Sequence, residues 1–262
     1  MTTFEGPIII NKPIQIIPMN NHTTIEKMKA LRLHGMAQIH YAAVSEKMYV
    51  DYTQDEYTAL LVDQEWEVRQ HKRIKNMIVR AGFKLHASIR DINYTANRNL
   101  DRNYLERLLT LDFVKQNQNI IITGSTGVGK SYLAQAIGNH ACTMLCRTTY
   151  FNTARLMELF RTGRMDGSYL KLIKRIKRCQ LLILDDFGLA PFDSSSRQTL
   201  MDLVEDRHDQ ASTIIASQIP VNKWHELIGE GTIADAILDR IVNSAHRIPL
   251  NGKSLRKKID QQ

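Results

Sequence analysis

The chain has 262 residues, of which 43% are hydrophobic and 24% are charged, a composition that is ordinary for a globular protein and excludes collagen-like and disordered chains. Its 35 lysines and arginines outnumber its 27 aspartates and glutamates, and the formal charge of +8 favours a polyanionic partner. Three cysteines without a CxxC pair argue against a disulfide framework or a zinc site and fit a reducing cytoplasm, and no apolar run reaches the roughly 18 residues of a membrane span.

The first part of the chain is predicted to be helical after an extended segment. Residues 6–18, GPIIINKPIQIIP, are apolar but interrupted by Lys12, Pro13 and Pro18, so we expect residues 1–20 to form an extended arm or an edge strand. Thr23-x-x-Glu26 and Thr53-x-x-Glu56 have the spacing of capping boxes, and apolar residues follow each of them at helical intervals. The first box is predicted to open a helix that reaches Ile39. Residues 21–90 are therefore predicted to form a small all-helical domain.

The positive charge is concentrated in three basic segments, Arg69–Arg90, Arg161–Arg178 and Arg247–Lys258, while the rest of the chain is acidic overall. In the first segment the cations recur with a helical period, on a face separate from the apolar stripe that starts at Ile74. A solvated helix face is the alternative, but the absence of any acid there favours contact with nucleic-acid phosphates. The cations assigned to DNA are Arg69, Lys72, Arg73, Arg80, Arg161, Lys171, Lys174, Arg175 and Arg178.

A different pattern begins near Asp91. Short apolar runs lie at 120–123, 148–153, 181–184, 213–217 and 245–250. Helical stretches separate them, and this alternation is typical of a parallel sheet covered by helices. Residues 91–262 are therefore predicted to form an α/β domain with a five-stranded sheet.

The first of these runs leads into a P-loop, Gly124–Ser131 (GSTGVGKS). This segment matches G-x-x-x-x-G-K-[ST] and lies between a strand and a helix. The glycines let backbone N–H groups point at phosphate, Lys130 adds a cation for the β and γ phosphates, and the Ser131 hydroxyl is a ligand for Mg²⁺. The motif predicts ATP binding, with a structural glycine turn as the alternative. The residues assigned to the nucleotide are Gly124, Ser125, Thr126, Gly127, Val128, Gly129, Lys130, Ser131 and Tyr132.

Two carboxylates follow the third predicted strand, at Asp185 and Asp186. A buried strand that ends in Asp is what a Walker B element requires, so Asp185 is predicted to hold Mg²⁺ together with Ser131, and Asp186 to polarise the attacking water. A two-aspartate turn after a core strand is the alternative. After the fourth strand, Gln218 is favoured over Ser217 as the side chain that orients the water, with a turn before a proline as the alternative.

Arg240 precedes the last predicted strand. We interpret it as an arginine finger for a neighbouring subunit, because this end of the sheet points away from the P-loop of its own subunit. The alternative is an exposed helix residue paired with Asp235 or Asp239.

In combination, these motifs resemble the AAA+ ATPases of the initiator and helicase-loader group, and most closely the IstB family, the ATPase helpers of bacterial insertion-sequence transposases. The resemblance covers about residues 21–258 and depends on the order of its motifs. These are KALRLHGMA (29–37), DQEWEVRQHKRIKNMI (63–78), NRNLDRNYLERLLTLDFV (97–114), GSTGVGKS (124–131), LLILDDFG (181–188), ASQIPV (216–221), AILDRI (236–241) and AHRIPL (245–250).

The resemblance implies an AAA+ core behind a helical N-terminal domain, with ATP and Mg²⁺ bound between subunits of a homo-oligomer on double-stranded DNA. It also implies recruitment and stimulation of a DDE transposase in the bacterial cytoplasm, at the nucleoid, with Arg161–Arg178 along the DNA path. Two departures from the family pattern matter. Asp186 stands where Glu is usual, which predicts slow basal hydrolysis, and the chain after Leu250 is too short for the usual lid, which leaves Arg256 as the candidate second sensor.

Three other functions compete with this interpretation. A replicative helicase loader of the DnaC type has the same core but would prefer single-stranded DNA. A small-molecule kinase is disfavoured by the basic segments and the paired aspartates. A passive DNA-binding protein with a vestigial P-loop is disfavoured by the intact Lys130, Ser131 and Asp185.

Overall fold

The computed structural model describes residues 21–46, 51–94 and 98–255. The arm predicted at residues 1–20 and the candidate sensor Arg256 lie outside these described residues. The described residues form two compact units, one up to Arg73 and one from Ile74 onward. The domain boundary placed at residue 90 from the sequence stays a prediction.

The first unit is helical. It contains α1 (Asn21–Ala30), α2 (His34–Ser45) and the larger part of α3 (Gln54–Ala81). The capping box at the start of α3 is confirmed, because the Thr53 N–H donates to Glu56 Oε2 at 2.8 Å and the Glu56 N–H donates to Thr53 Oγ1 at 3.3 Å. α3 then continues through the predicted basic helix without a break.

The helix predicted to run from the first capping box to Ile39 is two helices instead of one. Arg32 lies between α1 and α2 with a φ of 60°, and this left-handed conformation ends a right-handed helix. Thr23 lies inside α1, and the Glu26 carboxylate pairs with Lys29 at 2.9 Å. Ile39 consequently belongs to α2.

A buried carboxylate joins α2 to α3. A Cβ on Gly35, at the start of α2, would lie 2.6 Å from the carbonyl oxygen of Gln64, so the two helices are in close contact. Beside this contact, the Glu65 carboxylate accepts hydrogen bonds from the Gly35 N–H at 2.7 Å and from Arg69 Nε at 2.6 Å. Burial acts to raise the pKa of Glu65, but the hydrogen bonds outweigh it and the pKa is lowered.

The second unit is a parallel sheet with helices on both faces. Its strands are β1 (Ile120–Gly124), β2 (Thr148–Asn152), β3 (Leu181–Asp185), β4 (Ser212–Ser217) and β5 (His246–Leu250), in the order β2-β3-β4-β1-β5. Besides the end of α3, its helices are α4 (Arg102–Leu108), α5 (Asp112–Lys115), α6 (Lys130–Thr143), α7 (Thr153–Asp166), α8 (Tyr169–Lys177), α9 (Ser194–Glu205), α10 (Trp224–Ile228) and α11 (Gly231–Val242). The predicted fold class is confirmed, and each strand lies within one residue of its predicted limits.

Two hydrophobic clusters cover the two faces of this sheet. Because successive residues of a strand point to opposite faces, Ile120 and Ile122 pack in one cluster while Ile121 packs in the other. Burial on both faces explains why the strands appear in the sequence as continuous apolar runs. Among the described residues, no helix has both the length and the apolar character needed to cross a membrane.

All three cysteines are buried in this unit. Cys142 lies in the last turn of α6, Cys146 lies between α6 and β2, and Cys179 lies just before β3. Burial raises the pKa of the Cys142 thiol and raises that of Cys146 to about 11. All three belong to the hydrophobic core.

Candidate nucleotide-binding site

The motif residues meet at the carboxyl ends of the central strands β1, β3 and β4. β1 and β4 are neighbours, but α6 after β1 packs on one face of the sheet and α10 and α11 after β4 pack on the other. Adjacent strands whose connections leave on opposite faces open a crevice between them, and ligands of parallel α/β sheets bind in such crevices.

The loop between β1 and α6 depends on its glycines. The φ values of Gly124, Gly127 and Gly129 are 151°, 84° and 97°, and residues that carry a Cβ rarely adopt such values. A Cβ on Gly124 would also lie 2.2 Å from the carbonyl oxygen of Leu250. The first turn of α6 follows at once, so its N–H groups add to the anion-binding capacity of the loop.

Lys130 is held against the P-loop. Its side chain is 6% exposed, and Nζ donates a hydrogen bond to the carbonyl oxygen of Ser125 at 2.8 Å. The ammonium group is therefore fixed over the loop, where it can bind phosphate oxygens.

Asp185 is the most constrained carboxylate of the site. It is 3% exposed at the end of β3, and it accepts hydrogen bonds from Ser131 Oγ at 2.9 Å and from the Tyr150 hydroxyl at 2.8 Å. Burial and the charge of Asp185 raise the pKa of Tyr150, so the phenol remains a donor. The oxygens of Ser131 and Asp185 lie side by side and form a donor set that fits Mg²⁺.

Asp186 faces a different direction from Asp185. Its backbone has a φ of 53°, and its Oδ2 accepts a hydrogen bond from Asn152 Nδ2 at 2.9 Å. Asn152 ends β2 and also caps α7, because its Oδ1 accepts the Arg155 N–H. Asp186 also lines a cleft of about 150 Å³ beside α7, so its carboxylate lies next to open space.

The fourth strand brings Gln218 to the P-loop. Thr126 Oγ1 donates a hydrogen bond to Gln218 Oε1 at 2.5 Å. Ser217 is fully buried, and its hydroxyl donates to the carbonyl oxygen of Phe187 at 2.7 Å. Of these two candidates, Gln218 therefore contacts the P-loop, whereas the Ser217 hydroxyl is buried and bonded to the backbone of Phe187.

Arg240 lies at the other end of the sheet. It is in the last turn of α11, and its carbonyl oxygen accepts a hydrogen bond from Asn119, immediately before β1. Its Nε lies 2.6 Å from Glu205 Oε2, so its partner is neither Asp235 nor Asp239. The side chain is therefore remote from the P-loop of the same chain.

A comparison with known protein families matches the sequence of this chain to one family over nearly its whole length. The profile of the family described as IstB-like ATP binding protein matches residues 26–262. The chain belongs to the IstB-like ATP-binding proteins. The insertion sequence ATP-binding protein y4pL of Sinorhizobium fredii is 39% identical to it over 90% of this chain and 96% of that protein. The IS21 ATP-binding protein of Pseudomonas aeruginosa is 26% identical, over 88% of this chain and 86% of that protein.

Solved structures with the same fold are AAA+ proteins. A crystal structure of DnaI has a TM-score of 0.53 at 20% identity and covers 67% of this chain and 93% of its own. The AMPPCP-bound DnaA from Aquifex aeolicus has a TM-score of 0.52 at 19% identity and covers 68% of this chain and 54% of its own. These likenesses establish the AAA+ fold of the IstB-like chain and nothing beyond it.

The cations assigned to DNA in this IstB-like protein fall into three groups. Arg69 pairs with Glu65, and Arg161 pairs with Glu158 through two hydrogen bonds, so part of their charge is neutralised. Arg175 donates to the carbonyl oxygen of Arg80 and lies over an aromatic ring. The remaining six cations are exposed and have no ion-pair partner among the described residues; they are Lys72, Arg73, Arg80, Lys171, Lys174 and Arg178.

The sequence patterns did not identify three residues that lie in the site, Tyr150, Asn152 and Arg98. Tyr150 and Asn152 lie two residues apart in a recognised strand, which places them on one side of it, but only the pairing of β2 with β3 brings them to the aspartates. Arg98 is buried before α4 and donates to the Val128 carbonyl of the P-loop at 3.3 Å. Arg98 belongs to the 97–114 stretch that resembles the family, but the resemblance gave it no role, and its burial could not be inferred from a polar stretch of sequence.

Replacing Tyr150 by Phe tests the constraint on Asp185. We expect a loss of about 1.5–3 kcal/mol in the free energy of unfolding, because a buried carboxylate loses a hydrogen bond. The matched control is Tyr132→Phe, whose hydroxyl bonds only to neutral backbone groups of Ser88, with an expected loss of about 0.5–1.5 kcal/mol. Urea unfolding without nucleotide measures both values, and equal losses would contradict a special role for the Tyr150 bond.

Proposed function

We propose that this protein is a DNA-binding, DNA-stimulated ATPase that assembles as a homo-oligomer on double-stranded target DNA and recruits and stimulates a DDE transposase. The ATPase part is supported by one observation: Asp185 is held at the P-loop by Ser131, and the adjacent carboxylate of Asp186 is held separately by Asn152. The transposition part is supported by the names of its relatives, which are ATP-binding proteins of insertion sequences.

Each residue of the site has a separate role in ATP hydrolysis. The loop N–H groups and Lys130 bind the phosphates. Asp186 accepts a proton from the attacking water, and Asn152 holds its carboxylate at the correct angle. Gln218, which is bonded to Thr126 of the P-loop, positions that water near the γ-phosphate.

Ser131 and Asp185 are the residues that would hold Mg²⁺, and the ion would neutralise phosphate charge during transfer. Their present hydrogen bond keeps the two oxygens adjacent. Tyr150 keeps the second oxygen of Asp185 occupied and so fixes the plane of the carboxylate.

Substitutions at Lys130 and Asp186 separate binding from turnover. Lys130→Ala is expected to weaken ATP binding at least about 100-fold, because the cation of the loop is lost. Asp186→Asn is expected to bind ATP normally and to hydrolyse it at least about 100-fold more slowly. Asn tolerates the positive φ of this position, so the backbone is preserved.

Calorimetric titration and a phosphate-release assay measure the two properties. The matched control is Asp209→Asn, an exposed aspartate that also has a positive φ but lies before β4, away from the P-loop. Wild-type turnover by Asp186→Asn would contradict the role proposed for its carboxylate.

DNA contact is proposed to be made by the exposed cations that lack an acidic partner. We expect each of three variants, Lys72→Gln, Arg73→Gln and Lys174→Gln, to weaken duplex binding roughly 5- to 10-fold in 0.1 M salt. Each should also reduce, by about 0.9, the slope of the logarithm of the binding constant against the logarithm of the salt concentration. Lys29→Gln is the control, because Lys29 is already paired with Glu26.

Fluorescence anisotropy over a salt series, with duplexes of unrelated sequence, measures these changes. All sequences should be affected alike, because phosphate contacts carry no sequence information. Salt-insensitive binding would refute the phosphate contacts, and a preference for single-stranded DNA would favour a helicase loader instead.

Arg240 is proposed to act on the nucleotide of a neighbouring subunit, which requires it to leave Glu205. We expect Arg240→Ala and Lys130→Ala to be inactive alone and to regain part of the ATPase activity when mixed, because some interfaces then combine an intact P-loop with an intact arginine. The control mixture is Lys130→Ala with Asp186→Asn. Both changes damage the same half of the site, so no interface in that mixture is complete.

The mixtures are assayed for phosphate release on duplex DNA after co-assembly is verified by sedimentation. If ATPase activity returns in the mixture of Arg240→Ala with Lys130→Ala but not in the control mixture, this supports the proposal that Arg240 acts on the nucleotide of the neighbouring subunit. Recovery in neither mixture would exclude Arg240 from the shared site.

A further inference from the structure

Two consecutive peptide groups of the P-loop are held from outside the loop. The Leu255 N–H donates to the carbonyl oxygen of Gly127 at 2.9 Å, and Arg98 Nη1 donates to the carbonyl oxygen of Val128 at 3.3 Å. Leu255 follows β5 and Arg98 precedes α4, so neither belongs to the P-loop motif. The Asn251 N–H donates to the carbonyl oxygen of Arg98 at 2.9 Å, which ties the two outer segments together.

These contacts determine where the N–H groups of the loop point. In a trans peptide group, the C=O and the N–H point in opposite directions. A Gly127 carbonyl that faces Leu255 therefore directs the Val128 N–H to the other side of the loop, and a Val128 carbonyl that faces Arg98 does the same for the Gly129 N–H. Successive N–H groups directed to one side are what a glycine-rich loop offers to phosphate.

The surroundings of Arg98 favour such a role. Its side chain is 5% exposed, and within the described parts of the chain no acidic group accounts for its charge and Nε has no hydrogen-bond partner. Nη2 donates to the carbonyl oxygen of Asn93. Among the described residues this buried guanidinium is bonded only to neutral carbonyls, so its charge is poorly compensated and its burial is costly unless an anion binds nearby. Its charge also polarises the Val128–Gly129 peptide group and strengthens the Gly129 N–H as a donor.

We propose that Arg98 and the Leu255 N–H are positioning groups of the nucleotide site, which hold the Val128 and Gly129 N–H groups toward the phosphates. The part of the nucleotide recognised through them is the polyphosphate chain, not the base. This inference depends on the proposed nucleotide site and adds to it two groups that the motif does not contain.

The test compares ADP with inorganic pyrophosphate, measured by calorimetry on the full chain. Arg98→Met removes the donor and is expected to weaken both probes by the same factor, about tenfold, because a charge-assisted bond no longer orients the loop. Arg98→Lys keeps a cationic donor and should recover part of this loss for both probes. The nucleotide-free unfolding midpoint shows that each variant is folded.

Leu255 provides an independent pair of variants. Leu255→Pro removes the N–H and should weaken ADP and pyrophosphate alike, whereas Leu255→Ala keeps the N–H and should bind both more tightly than Leu255→Pro does. If Arg98→Met does not fold, this pair decides the question, because it changes only a segment that follows the last strand.

Three results would overturn the proposal. Weaker ADP binding with unchanged pyrophosphate binding would assign Arg98 to the base. Unchanged binding of both probes by folded Arg98→Met, or equal binding by Leu255→Pro and Leu255→Ala, would show that the loop orients itself. A wild-type chain that binds neither probe would refute the nucleotide site, and this inference with it, whereas the other results leave that site standing.

Discussion

The buried carboxylate of Asp185 is the constraint around which the site is built. A charged group at 3% exposure loses most of its hydration, and two hydroxyl groups and the N–H of Asp186 replace it. The donors come from β2, from the start of α6 and from the turn after β3, so satisfying one side chain sets the distance between three elements. The P-loop, the strand end and the neighbouring strand therefore hold one another in register.

Much of this arrangement follows from residue patterns that are local in sequence. The P-loop is visible because its glycines and Lys130 are close together and serve one ligand. The strands are visible because both faces of the sheet are buried, which leaves β3 without a single polar residue before Asp185.

What could not be predicted depends on contacts between distant segments. That Asn152 meets Asp186 requires β2 to lie beside β3, and nothing in either strand specifies its neighbour. The break at Arg32 has no glycine or proline to announce it, and the pairing of Arg240 with Glu205 joins residues from two helices that are far apart in sequence. Charge counts likewise do not reveal that Arg69 and Arg161 are paired while Lys72 and Lys174 lack an acidic partner among the described residues.

The burial of all three cysteines has a consequence for chemical modification. Only the thiolate reacts readily with maleimides, and a thiol with a pKa of about 11, such as Cys146, is almost wholly protonated at neutral pH. Cys142 and Cys179 are equally shielded from reagents by the core. A single cysteine introduced on the surface, for example at Met165, which is 82% exposed in the last turn of α7, would therefore take up a fluorophore selectively in the folded protein. The native thiols would not have to be removed, and the packing that they provide beneath the sheet would stay intact.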